Sequence, residues 1–292
     1  MLTAPRRLLL VHAHPDDETL CTGGTIARYA DAGVHVTLVT CTLGEEGEVI
    51  PDGLRGLAAT SADQLGGYRV GELRAACAAL GVSDHRYLGG IGRWRDSGMA
   101  GTPSNDHPRA FVNGSLDEQV AALAEILAEV GPQAVVTYDG NGGYGHPDHI
   151  RAHEVTMAAV AGAPEVDAVY WTVVPHSTLR AGLAALAPFA ASGELPFPLP
   201  AEGELPSVPD EVVTTTVDVS RQLPAKIAAL RAHATQVSLW EGDGDRRRAY
   251  ALSNGLAQPL VPVEQFRLVG GRAEPRQVET DLFGDLASEQ GA

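Results

Sequence analysis

Apolar and polar positions along this chain fall into two alternating rhythms. Short apolar runs that stop abruptly at polar residues, at 7–12, 34–42, 85–88 and 134–138, read as buried parallel strands. Between them, helical spacing marks helices over 25–32, 62–80 and 116–130, with Gly33, Gly81 and Gly131 placed to end them. A long loop fills 89–114. Beyond 149–160 the pattern weakens to a strand at 169–174, a Pro- and Gly-rich loop over 188–209, a β-like stretch at 212–219, a helix over 224–233 and a polar tail. Strand–helix alternation predicts an α/β, Rossmann-like, doubly wound fold, its mostly parallel sheet covered by helices on both faces. The chain reads as one domain over 1–292, with a metal-binding core at 1–163, a C-terminal cap at 164–275 and a tail at 276–292.

Composition removes several function classes. The 292 residues are 44% hydrophobic, enough for a buried core, and carry a formal charge of −16. That charge lacks the basic footprint of a nucleic-acid binder and favours a neutral or cationic small ligand. The three cysteines, Cys21, Cys41 and Cys77, form no CxxC pair and read as small apolar fillers. No apolar run reaches the ~18 residues that span a bilayer. RRLLLV near the start is too short for a signal-peptide core and lacks a small-residue cleavage site. The expectation is a cytoplasmic protein with no membrane contact and no obligate protein partner.

The chemistry sits where the apolar runs stop. The first strand ends in HAHPDDE (12–18), where a dinucleotide binder would carry GxGxxG, and the strand at 134–138 ends in DGNGGYGHPDHI. In open α/β sheets ligands bind at the carboxyl ends of strands, so two His- and Asp-rich loops there form one metal site if the strands are neighbours. A catalytic zinc site takes three His or carboxylate ligands and keeps one position open. His14 and Asp17, three apart, supply two ligands, and His149 completes the set. Asp16 points elsewhere and suits a general base. His146, with Asp148 as its partner, suits stabilisation of an oxyanion. His12 is a supporting residue, and His35, His85, His107, His153, His176 and His233 read as structural or surface groups.

These residues have a familiar arrangement. HAHPDDE, TLGEEGE (42–48), YRVGEL (68–73) and YDGNGGYGHPDH (138–149) together resemble the zinc-dependent de-N-acetylases of the LmbE-like, or PIG-L, superfamily. LGGIGRWRDSGMAGT (88–102) and RAHATQV (231–237) narrow the resemblance to the branch acting on N-acetylglucosaminyl-inositol in mycothiol biosynthesis. The resemblance runs over about 8–270 and weakens through 164–212. It implies a Rossmann-like fold, hydrolysis of an acetamide on a glucosamine, and one zinc ion, or iron(II), held by His14, Asp17 and His149. It also implies Asp16 as general base, His146 as oxyanion stabiliser and Tyr144 as a mobile tyrosine that polarises the carbonyl.

A polyhydroxylated glycoside calls for charged hydrogen-bonding groups. Arg69 and Asp96, then Glu48, are the expected substrate contacts by resemblance, and Met99 lines the site. Trp94 suits either a sugar face or packing, and the loop over 89–114, with six glycines, suits a lid. Three other readings stand beside the deacetylase. Mycothiol S-conjugate amidases share the chemistry but carry a lysine shortly after HPDDES, whereas this chain reads HPDDETLCTGG, with Cys21 in that stretch. The second is another sugar de-N-acetylase. The third is a non-catalytic, metal-containing glycan-binding module, against which the presence of Asp16 argues.

Overall fold

Side chains of β1 (Arg7–His12) divide between the two faces of the sheet: Leu8 and Leu10 enter one apolar cluster, Leu9 and Val11 the other. The first cluster is covered by α1 (Asp17–Asp31), α2 (Leu65–Leu80) and α6 (Leu223–Ala232) and also takes side chains from neighbouring strands and from Leu282 and Phe283. The second is closed by α3 (Leu116–Val130) and α4 (Pro147–Val160). A strand buried on both faces reads as a continuous apolar run, which is why RLLLV shows no alternation. The computed structural model describes residues 5–242, 248–273 and 275–284.

Seven strands form the central sheet. With β2 (His35–Thr40), β3 (Asp84–Tyr87), β4 (Ala134–Thr137), β5 (Ala168–Val173), β6 (Thr215–Asp218) and β10 (Val263–Gly271), the order is β3-β2-β1-β4-β5-β10-β6. The first five are parallel, and β10 runs antiparallel to both β5 and β6. This is the expected α/β, doubly wound architecture. The chain leaves β1 towards β2 on one side and returns to β4 on the other, opening a crevice at the carboxyl ends of β1 and β4. The two strands are direct neighbours, with Leu8 opposite Ala134.

Some elements differ from the expectation. Helix α1 begins at Asp17, eight residues before 25, so Gly23 and Gly24 lie inside it. Gly24 answers a packing need, since a Cβ there would lie 2.5 Å from Cβ of Val219. Helix α5 (His176–Ser192) runs through Pro188 near its end, where a lost hydrogen bond disturbs little. Strand β10 was not expected, and with β5 and β6 it extends the sheet well past residue 163. Only β7 (Ser238–Glu241), β8 (Arg248–Ala251) and β9 (Gln258–Pro259) stand apart, as a small antiparallel sheet. The stretch expected as a tail docks through Phe283: the Leu282 amide donates to the Tyr29 hydroxyl at 2.7 Å, and the Tyr170 hydroxyl donates to the Leu282 carbonyl at 2.9 Å. Residues 285–292 lie outside the described residues. Among those described, no helix is long and apolar enough to cross a membrane.

Candidate metal centre

The loops that follow β1 and β4 meet in the crevice. His14 Nδ1, Asp17 Oδ2 and His149 Nε2 stand at the corners of a triangle whose three edges are each 3.3 Å. A tetrahedral ion with bonds of ~2.0–2.1 Å sets its ligands about 3.3–3.4 Å apart, so this buried His-His-Asp group can hold a metal ion. Both imidazoles are oriented for it. His149 Nδ1 lies 3.1 Å from the Gly142 carbonyl, an acceptor, which leaves Nε2 with its lone pair towards the triangle. His14 Nε2 faces Asp148 Oδ2 at 3.2 Å and Asp96 Oδ1 at 3.4 Å, which leaves Nδ1 free in the same way. Asp17 Oδ2 is fixed by the Tyr138 hydroxyl at 2.8 Å and the His14 amide at 2.9 Å, and Tyr138 stacks on His149.

Charge points the same way. Burial opposes protonation of His14, yet Asp96, Asp148 and Asp17 around it raise its pKa well above the usual imidazole value. Carboxylates buried this closely require a compensating cation. His14, His146 and His149 also bring ligand atoms within 4.8 Å of one another. His146 Nδ1, however, is engaged by the Asp148 amide at 3.1 Å as the N-cap of α4, and the Asp17 set makes the tighter triangle.

The His146 ring lies 4.6 Å from His14 and 5.0 Å from His149, and Asp16 precedes Asp17 in the chain. Asp16 holds φ 110°, a backbone state that L-residues other than glycine rarely adopt. Burial, opposed by Arg69 and aided by Asp17, pushes its pKa up to about 6, so its carboxylate takes up a proton readily near neutral pH. Burial and the neighbouring His14 and His149 lower His146 to about 3, which keeps it neutral. Because its Nδ1 accepts the Asp148 amide, Nε2 carries the hydrogen and is the donor this ring presents. Gly142, at φ 63°, lets the second loop close over His149, where a Cβ would come within 2.6 Å of its Cβ.

The other expected site residues have protein partners or surface positions of their own. The Asp148 carboxylate turns away from His146, to His14 Nε2 and to the Ser97 amide at 2.9 Å. Arg69 is buried and committed to Asp16 Oδ2 at 3.2 Å and to the carbonyls of Gly44 and Pro15. Asp96 is likewise buried, accepting from the amides of Gly98 and Glu46. Glu48 is exposed, while its neighbour Glu45 is buried and accepts the Asp96 amide at 3.0 Å. Met99 and Tyr144 are 46% and 51% exposed, and the Tyr144 ring stands edge-on to His149. Trp94 is buried against Phe111, in a packing role. The loop read as a lid is anchored through residues 94–98, which are buried beside the site. Sequence reasoning missed Tyr138, Glu18 and His233. The histidine of HATQ reaches Glu18 at 2.7 Å, and the family-like phrase RAHATQV was the signal available for it.

The PIG-L family, described as GlcNAc-PI de-N-acetylase, matches residues 9–160. The chain belongs to the PIG-L family. A 1D-myo-inositol 2-acetamido-2-deoxy-alpha-D-glucopyranoside deacetylase of Actinosynnema mirum is 65% identical over 98% of this chain and 99% of its own length. One of the same name from Rhodococcus erythropolis is 53% identical over 99% and 100%. Among solved structures, N,N′-diacetylchitobiose deacetylase of Pyrococcus horikoshii is 20% identical, with a TM-score of 0.53 over 96% of this chain and 88% of that one. A 4-carboxy-2-hydroxymuconate hydratase of Pseudomonas putida, 20% identical, scores 0.54 over 93% and 99%. A hydratase on the same PIG-L-like scaffold shows that the fold alone does not fix the reaction. As a PIG-L member of this kind the chain is a deacetylase.

Proposed function

We propose that the chain hydrolyses the acetamide of 1D-myo-inositol 2-acetamido-2-deoxy-α-D-glucopyranoside in mycothiol biosynthesis, releasing acetate and the free amino sugar. One zinc ion, or iron(II), is held by His14, Asp17 and His149. The observation that carries this reading is the 3.3 Å triangle of His14, Asp17 and His149, with the His146 ring packed against both imidazoles. The full-length relatives named for that glycoside support the substrate. The free state of Cys21, Cys41 and Cys77 suits a reducing cytoplasm.

A divalent ion at the triangle supplies Lewis acidity to the acyl oxygen and lowers the pKa of water to about 7. Asp16 takes the proton of the attacking water as the new C–O bond forms and the carbonyl electrons move onto oxygen. His146 Nε2–H donates to that oxygen, and the hydroxyl of Tyr144, whose half-exposed ring stands beside His149, joins it in this reading. When the C–N bond breaks, the leaving nitrogen takes the proton that Asp16 holds. Tyr138, Gly142 and Asp148 keep the imidazoles oriented throughout.

The test is acetate release from the pseudo-disaccharide with metal analysis, before and after chelation. About one ion per chain is expected, with turnover lost on its removal and restored by zinc. Undiminished release from metal-free protein would overturn the reading. Faster hydrolysis of a bimane conjugate of mycothiol would reassign the chain to the S-conjugate amidases.

A further inference from the structure

We propose that His233 and Glu18 are a positioning pair that holds Asp16 in its strained backbone state, so that its carboxylate faces the site. The inference rests on the role of Asp16 given above. His233 Nε2 donates to Glu18 Oε1 at 2.7 Å, and both side chains are fully buried. The other oxygen, Glu18 Oε2, accepts the amide of Asp16 at 2.9 Å. The Asp16 carbonyl is held in turn by the amides of Thr19 and Leu20, both at 2.9 Å. Two polar side chains from outside α1 and its lead-in reach this segment: Arg69 pairs with the Asp16 carboxylate at 3.2 Å, and His233, 215 residues along the chain from Glu18, acts on the Asp16 amide through Glu18.

A positive φ at a non-glycine residue is strained and persists only where neighbours over-determine it. Here the amide of the strained residue itself is fixed by a carboxylate, and that carboxylate is fixed by an imidazole. The Nδ1 atom of His233 is buried with no hydrogen-bond partner, so the ring is not placed there to satisfy its own polar groups. The turn that carries it is itself locked. Thr235 donates from its amide and hydroxyl to Glu72 at 2.8 and 2.7 Å, and the Ile50 amide donates to the Thr235 carbonyl at 3.0 Å. HATQ thus ties the start of α1, the middle of α2 and the loop after β2 to one point, and the arm that points at Asp16 is His233.

Neither residue touches substrate in this scheme. Both act through Asp16, so their loss lowers kcat while leaving KM and metal content alone. His233→Ala should cost about 10²-fold in kcat, the penalty of a displaced catalytic group, with KM changed by no more than about twofold. His233→Gln, which retains a donor towards Glu18, should recover most of it. In an Asp16→Ala background, His233→Ala should change kcat by less than about twofold, because the group it positions is gone. Should His233→Ala fail to fold, Glu18→Ala decides the same questions. Full additivity with Asp16→Ala, or a rise in KM with kcat intact, would overturn the proposal. A crystal structure of His233→Ala supplies an arm independent of activity: residue 16 should return to negative φ. Retention of φ near the present value, with the carboxylate unmoved, also refutes the pair. If the unaltered protein releases no acetate, the functional reading fails while this structural arm still decides the positioning.

Discussion

The tripeptide His-Pro-Asp occurs twice at the site, at 14–16 and at 146–148, and the two copies act differently. In the first, the helix starts after the motif: Asp16 is the N-cap of α1, and His14 lies before it with Nδ1 turned to the triangle. In the second, the helix starts within the motif: His146 is the N-cap of α4, Pro147 opens the first turn, and His146 Nδ1 is used to cap the Asp148 amide. The candidate ligand then comes from the helix itself, as Asp17 in the first loop and His149 in the second. The role of each histidine is therefore set by its distance from the helix start. The loops also differ in strain. The first holds Asp16 at positive φ under polar contacts, whereas the second makes its tight turns with Gly142, Gly143 and Gly145 and leaves Tyr144 half exposed.

The contrast can be broken most directly at the ligands. His14→Ala and His149→Ala should lose the ion and acetate release together, read by metal analysis and turnover. Asp16→Ala should keep the ion and lower turnover by about 10²–10⁴-fold, and full activity would remove its role as base. His146→Ala should also keep the ion and lose about 10²–10³ in kcat, as for the loss of one oxyanion donor. Loss of the ion from His146→Ala would erase the distinction between the two tripeptides. The smallest effect concerns strain alone: Asp16→Gly should unfold in urea about 1 kcal/mol later than Asp16→Ala, since glycine accepts φ 110° without cost. Equal stabilities would mean that the backbone stores nothing there.

The candidate ligands stand out in the sequence because they lie next to strong local signals. RLLLV and AVVTY mark parallel strands, and HPDD and HPDH follow at their carboxyl ends. What escaped depends on distance along the chain. The service of His233 to Glu18 and of Tyr138 to Asp17 joins positions 215 and 121 residues apart, with no local spacing to announce it. Arg69 and Asp96 read as substrate contacts from their motifs, and local spacing does not announce that both are buried with protein partners. Strand β10 and helix α5 were obscured by local breakers, Gly270 and Gly271 in one and Pro188 in the other, which tertiary packing overrides.

One feature of the sheet bears on how the chain is made. Strand β10 lies between β5 and β6 although it follows both in the sequence. During synthesis β6 therefore has no strand to pair with until residues past 263 have emerged from the ribosome. The parallel half, with both His-Pro-Asp loops, can assemble well before that. The candidate ligands for the proposed ion thus belong to the part of the sheet that can form early, and the far edge is completed only when β10 joins β5 and β6.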